Sequence, residues 1–254
     1  MTNGRLYRVF RLLAVGLLLA GMIVPCADGA VIPITEDFDD GVLDPALEDV
    51  SGNYDLSAGV AEYVGPAESR NYIRTEDSDY DSANFHFEAS ITIPAVGDPW
   101  ANGFFGIGSG APGSYFDSPQ PAYFLQLEAR NQDTQLRRFD RDGTRHQLLE
   151  WSDLGPLGAG THRVSMTKEG DDVTWAIDKD FSGTFAPDAT RVRSFAGDTG
   201  MMTNADWRLF FGTGRDSYTS TFDDVAITPE PSALVLMILA GLGGVLGRRK
   251  LRED

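Results

Sequence analysis

In SANFHFEASITIP, residues 82–94, apolar and polar side chains alternate. Phe85, Phe87, Ala89, Ile91 and Ile93 share one parity, while Asn84, His86, Glu88, Ser90 and Thr92 take the other. Successive side chains of a pleated strand point to opposite faces, so this run buries one face as a β-strand; helical periodicity would scatter the same apolar residues around an axis. Pro94 and the AVGDP that follows Ile93 end the run.

The same reading recurs along the chain. NGFFGIGSG is a short apolar run bracketed by glycines, and in AYFLQLEAR Tyr123, Leu125 and Leu127 alternate with Phe124, Gln126 and Glu128. QLRRF and TRHQLLEW flank the turn signal DRDG, and HRVSMT and VTWAID flank KEGDD, so both pairs are predicted hairpins. In the second, Val164 and Met166 should pair against Val173, Trp175 and Ile177. DWRLFFGTG and STFDDVAIT complete a set of eight or more strands with no amphipathic helix among them. Many short strands joined by Gly, Pro, Asp and Asn predict an all-β fold, an antiparallel two-sheet jelly-roll sandwich formed by residues 31–228 as one domain.

Three segments carry a family resemblance: the opening TEDFDDGVLDPAL, the middle GTHRVSMTKEGDDVTWAID and the closing TFDDVAIT. Together they resemble the concanavalin A-like lectin/glucanase superfamily, in particular its laminin-G-like domains. Those domains usually carry a hairpin of the form H-x-V-x-x, turn, V-x-x-x-x-D-G. Here His162, Val164 and Asp178 match, and Lys179 stands where glycine is usual. The resemblance implies a jelly roll and either glycan binding or glycan cleavage.

Both ends of the chain read as targeting segments rather than fold. Arg5, Arg8 and Arg11 precede the apolar LLAVGLLLAGMIV, and small residues follow at Ala27, Gly29 and Ala30. That order is a secretory signal peptide over residues 1–30. Its removal would take away Cys26, the one cysteine, leaving an exported domain without disulfides. The domain keeps 34 of the 38 Asp and Glu and 14 of the 21 Lys and Arg, a net charge of about −20 that repels nucleic acid and anionic membranes.

The catalytic motifs expected on this scaffold are missing. Glucan-cleaving relatives place carboxylates along one strand as Glu-x-Asp-x-x-Glu or Glu-x-Asp-x-Glu, so that they flank one glycosidic bond. No glutamate here begins such a run; Glu150 with Asp153 has the wrong spacing. His86, His146 and His162 lack metal-ligand spacing and read as exposed or half-buried strand residues, and there is no G-x-S-x-G elbow. The sequence therefore predicts a protein that is not an enzyme.

Calcium is the expected cofactor, if any. An EF-type loop fails at DRDG, because Arg138 and Leu149 would fall on ligand positions. In jelly-roll carbohydrate-binding modules, which the end-to-end pattern resembles, the first and last strands are neighbours and share a structural calcium. Asp39 and Asp224, with Asp37 next, are the ligands this implies; solvated carboxylates at strand ends are the alternative. For glycan contact, Trp100, Tyr115, Tyr123 and Trp151 lie near predicted loops or strand ends, whereas Trp175 and Trp207 sit inside alternating runs and read as core.

Residues 229–254 remain. Pro229, Glu230 and Pro231 precede the apolar ALVLMILAGLGGVLG, shorter than the roughly 20 residues of a comfortable span, and Arg248, Arg249 and Lys250 stop it. This order is similar to the PEP-CTERM sorting signal of Gram-negative bacteria. The resemblance implies processing by an exosortase, membrane contact only through this segment, and delivery to the cell surface, outer membrane or an exopolysaccharide or biofilm matrix. The functional expectation is a non-enzymatic, lectin-like surface or matrix protein that binds glycan. A purely structural or adhesive surface protein is the alternative, followed by a glycan-cleaving hydrolase.

Overall fold

The computed structural model describes residues 31–66, 70–80, 82–94, 102–109, 122–128, 134–139, 145–150, 157–195, 207–214 and 220–230. The chain divides into two compact units, Met1–Ala30 and Val31–Asp254, and every described residue belongs to the second. The predicted signal peptide and the apolar part of the predicted sorting signal lie outside the described residues. Among the described residues, no helix is long and apolar enough to cross a membrane.

The described residues form fifteen strands. In chain order they are β1 (Ile34–Glu36), β2 (Leu47–Asp49), β3 (Tyr54–Asp55), β4 (Ala61–Tyr63), β5 (Arg70–Thr75), β6 (Phe85–Ile93), β7 (Asn102–Ser109) and β8 (Ala122–Glu128). Then follow β9 (Gln135–Phe139), β10 (Arg145–Glu150), β11 (Gly160–Glu169), β12 (Asp172–Asp178), β13 (Ala189–Ser194), β14 (Trp207–Gly214) and β15 (Thr221–Pro229). One sheet has eight strands in the order β13-β12-β11-β6-β15-β4-β3, with β1 also paired to β15; the other has seven in the order β10-β9-β8-β7-β14-β5-β2. All strand pairings are antiparallel. The predicted all-β jelly-roll sandwich is the observed fold.

The period-two pattern decides what each sheet turns inward. On β6, Phe85, Phe87, Ala89, Ile91 and Ile93 are buried as the alternation predicts. Phe87 stacks on Phe105 of the opposite sheet at 4.1 Å between ring centroids, and Phe211 meets Phe222 at 5.2 Å, so the sheets interlock through aromatic pairs. Trp175 and Trp207 are fully buried, as expected of core residues. Both predicted hairpins form: Val164 pairs with Ile177 and Met166 with Trp175, while Arg145 opposes Phe139 in the other. Gly170, at φ 58, turns the β11–β12 hairpin in the left-handed region that a side chain disfavours.

The first and last strands meet. Ile34, Thr35 and Glu36 pair with Ile227, Ala226 and Val225, as the lectin resemblance implied. β15 runs one residue further than the predicted boundary at 228. It includes Pro229, which lies opposite Phe85, and the Glu230 amide donates to the Asn84 carbonyl at 3.2 Å. The first two residues of the Pro-Glu-Pro motif are thus tied to the sheet, Pro229 standing at a strand end where its missing N–H costs little. Pro231, Arg248 and Arg249 lie outside the described residues.

Candidate functional site

The ladder β11-β6-β15 turns a polar row outward. His86, Glu88, Ser90 and Thr92 of β6 stand opposite Thr167, Ser165, Arg163 and Thr161 of β11. Their partners follow this register. His86 Nδ1 and Thr167 Oγ1 lie 2.8 Å apart, as do Thr92 Oγ1 and Thr161 Oγ1, and Arg163 Nη1 donates to Ser90 Oγ at 2.8 Å.

On the other flank, β15 carries a bulge between Asp223 and Ala226. Phe222 and Val225 both turn inward across it, and the extra residue, Asp224, adopts φ 48. The bulge aims the Asp224 carboxylate at Arg163, with Oδ2 3.7 Å from Nη1. Arg163 Nη2 also binds Glu88 Oε1 at 2.8 Å, and its guanidinium lies 5.8 Å from the centre of the Phe181 ring. A nearly buried arginine thus holds two carboxylates from neighbouring strands. Glu88 takes a further, longer contact of 3.4 Å from His86 Nε2. Hydrogen bonds from His86 and Arg163 outweigh burial and hold the Glu88 carboxyl at about 2, so it is a fixed anion at neutral pH.

These groups line a groove of about 450 Å³, completed by Thr35, Glu36 and Asp37 from the first strand and by Phe181, Gly183 and Phe185 from the loop after β12. The loop is fastened at both ends. Asp178 Oδ2 accepts from the Ala186 amide and Asp188 Oδ2 from the Lys179 amide, each at 2.7 Å. Lys179 stands where the laminin-G-like pattern usually has glycine, and the next residue, Asp180, adopts the left-handed conformation with φ 59. His162 stabilises that turn. Its Nδ1 accepts from the Asp180 amide at 3.2 Å while Nε2 faces the Gly158 carbonyl at 3.3 Å. It is fully buried rather than exposed or half-buried, because it shares the inward parity of Val164 and Met166, and burial pulls its pKa down.

Of the predicted calcium ligands, Asp37 and Asp224 both line the groove. Asp39 lies nearby, since its charge, with those of Asp224 and Asp37, reaches Asp223. The strands therefore gather the acidic residues at one end, but among the described residues no three His, Cys, Asp or Glu side chains are arranged to hold a metal ion. Asp37 Oδ1 instead accepts from the Asp39 amide at 3.2 Å, and Asp223 Oδ1 from the Asp224 amide at 2.7 Å. Burial, followed by the charges of Asp224, Asp39 and Asp37, raises the Asp223 pKa.

A raised folded-state pKa means that Asp223 favours the fold when protonated and opposes it once ionised. Asp223→Asn keeps the acceptor oxygen and removes the charge. It is expected to raise the melting temperature at pH 7, by an amount equivalent to roughly 0.5 kcal/mol for this partly exposed group, and to leave it unchanged near pH 3. Paired thermal melts check this, and a destabilised variant at pH 7 would contradict it.

The structure places Tyr123 elsewhere than predicted. It lies inside β8, fully buried, with its ring 4.1 Å from that of Phe195, so it is a core residue and offers a ligand no face. Its parity with Leu125 and Leu127 was the signal. Trp100, Tyr115 and Trp151 lie outside the described residues. The groove's aromatic members are instead Phe181 and Phe185, which sit in a polar loop that carries no periodic signal.

The fold and groove together define the class: an all-β, two-sheet jelly-roll sandwich. Solved structures with this fold include arcelin-5, a lectin-like defence protein from Phaseolus vulgaris, at a TM-score of 0.50 and 12% identity over 78% of this chain and 99% of that one. The exoplasmic/lumenal domain of VIP36 in a Ca2+/Man-bound form is similar at 0.50 and 8% identity, over 78% and 89% of the two chains. Bacteroides ovatus xyloglucan PUL GH43B is similar at 0.51 and 15% identity over 82% of this chain, which spans only 42% of that one. No family model matches the chain, and no curated protein matches it.

Proposed function

We propose that this is an exported, non-enzymatic, lectin-like protein of the cell surface or extracellular matrix that binds glycan in the groove between β11, β6, β15 and the loop after β12. The observation that carries the reading is the groove's lining. Phe181 and Phe185 supply apolar ring surface, and Glu88, Arg163, Asp37 and Asp224 supply fixed acceptors and a donor on one wall. Saccharides present this mixture in reverse, with C–H faces for aromatic rings and hydroxyls for charged partners. The lectin-like neighbours and the VIP36 form with bound Ca2+/Man support the reading at the level of fold.

The groove favours binding over hydrolysis because Glu88, held at about 2 by His86 and Arg163, has no proton to give a leaving group near neutral pH. In this reading residues 1–30 direct export, and the Pro-Glu-Pro, apolar and basic tail is a PEP-CTERM signal cut by an exosortase, leaving the domain in an exopolysaccharide or biofilm matrix.

The test is a glycan array probed with the purified protein, with and without EDTA. We expect binding to one glycan class, unchanged by the chelator because the acidic residues are not gathered into an ion site, and lost in Glu88→Gln. A loss of binding in EDTA would restore calcium. No binding under either condition would leave the structural or adhesive alternative, and release of reducing sugar would favour the hydrolase.

A further inference from the structure

The wall of the groove that carries Phe181 rests on the start of β11 through two consecutive amides. The Phe181 amide donates to the Thr161 carbonyl at 2.8 Å, and the Asp180 amide donates to His162 Nδ1 at 3.2 Å. The second bond holds Asp180 in the left-handed region, at φ 59, one residue before the ring whose centre lies 5.8 Å from the Arg163 guanidinium. Phe181 and Phe185 are the aromatic members of the groove, so a single imidazole nitrogen helps to set where one of them stands.

His162 is fully buried, and both of its ring nitrogens meet backbone. Nδ1 must be bare to accept from the Asp180 amide, which leaves Nε2 to carry the hydrogen and donate to the Gly158 carbonyl at 3.3 Å. Protonation makes both nitrogens donors. Nε2–H keeps the Gly158 carbonyl, whereas Nδ1–H is turned against an amide N–H inside the fold, and the bond there is lost. On β6 the ring is paired with Ile91, and on its own strand it shares a face with Val164, so neither supplies a charge. The charged groups near it stand at the end of β12 and in the turn. Burial is the largest effect and lowers the pKa of the ring; Asp180 and Asp178 favour its protonated form and Lys179 opposes it.

We infer that His162 is a pH-sensitive clasp on the groove, which holds the Asp180 turn and Phe181 in place as the neutral imidazole and loosens them when it takes up a proton. The clasp positions the wall of the groove whatever the groove binds, so it stands or falls apart from glycan binding. The neutral ring is the form the fold favours. The clasp is therefore closed at pH 7 and opens as the pH falls below the ordinary histidine value of about 6.5. The other fastenings of the loop, from the Ala186 amide to Asp178 and from the Lys179 amide to Asp188, confine the release to Asp180 and Phe181.

The experiment is an NMR titration of the full-length protein, labelled in its amides, histidine rings and phenylalanine rings, from about pH 7.5 to about pH 5. At the upper end the His162 ring should show a bare Nδ1 and a protonated Nε2. On acidification the Phe181 ring signals should move with the same midpoint as the imidazole. The protection of the Asp180 amide against hydrogen exchange should fall about tenfold, the loss of one hydrogen bond, while amides in the β6–β11 ladder keep theirs. His162→Asn retains a side-chain acceptor near the place of Nδ1 and cannot be protonated, so its Asp180 protection should not change over this range. Should that variant fail to fold, the titration of the parent protein decides alone. A ring protonated on Nδ1 at pH 7.5, a ring that titrates without moving Phe181, a ring that stays neutral down to pH 5, or a His162→Asn protein with the parent's pH dependence would overturn the inference.

Discussion

Arg163→Ala is expected to destabilise the domain by about 2–3 kcal/mol and to abolish ligand binding in the groove. Arg163 is 8% exposed and serves Glu88, Ser90 and Asp224 together. Alanine leaves two carboxylates on adjacent strands with no cation between them. Removing one partner of a fully buried pair costs about 3–5 kcal/mol, and the figure is lowered here because the Glu88 and Asp224 side chains retain 24% and 58% exposure.

The pH dependence distinguishes this account from simple loss of packing. The Glu88 carboxyl lies near 2 in the fold against 4.5 unperturbed, so its contribution is fully present above the unperturbed value and is lost as pH falls from about 4.5 towards 2. Urea denaturation at pH 7, 4.5 and 3 should show a parent protein that weakens across that interval and a variant that weakens less, the His86 contact remaining. Equal denaturation midpoints at pH 7 would show that the arginine network contributes no stability.

The second large effect is expected at Glu36, a residue with no obvious chemistry. It is 6% exposed, and its two oxygens accept from the Phe38 amide at 2.7 Å and the Asp44 amide at 2.6 Å. One carboxylate thereby organises the segment joining β1 to β2, in which Phe38 adopts φ 56 and buries its ring 6.5 Å from that of Phe211. Glu36→Ala strands two backbone donors, and at about 1–3 kcal/mol for each buried unsatisfied group the expected cost is about 3 kcal/mol. Glu36→Gln keeps one acceptor and should cost about half. Hydrogen exchange at the Phe38 and Asp44 amides should accelerate in both variants. Asp37 lines the groove, so ligand affinity should fall with the loss of this loop. Unchanged exchange at both amides would remove Glu36 from the account.

Much of the fold was legible because alternation is a local property. The inward set on β6, the β11–β12 pairing and the burial of Trp175 and Trp207 follow from residues within one or two strands of each other. Less of the site was legible. Arg163 looked like one outward residue of a hairpin, and Glu88 like one polar member of an alternating strand. The Asp224 bulge did leave a trace, since the apolar spacing Phe222, Val225, Ile227 breaks period two, yet a broken period does not reveal what the displaced residue will face. Tyr123 fell on the core side of a parity already visible in its own strand, and His162 did the same.

By itself the sequence determined that the domain would be an all-β sandwich, which face of β6 would be buried, that β11 and β12 would pair, and that acidic residues would stand near both ends of the domain. Each of these depends on side-chain periodicity, turn chemistry or charge over short stretches of chain. Only the tertiary structure decided that Arg163 of β11 would lie between Glu88 of β6 and Asp224 of β15, and that Asp37, just past β1, would line the same groove as both. Those outcomes depend on sheet order, register and a one-residue bulge, which bring together residues far apart in the chain through backbone pairings that the local pattern permits but does not choose.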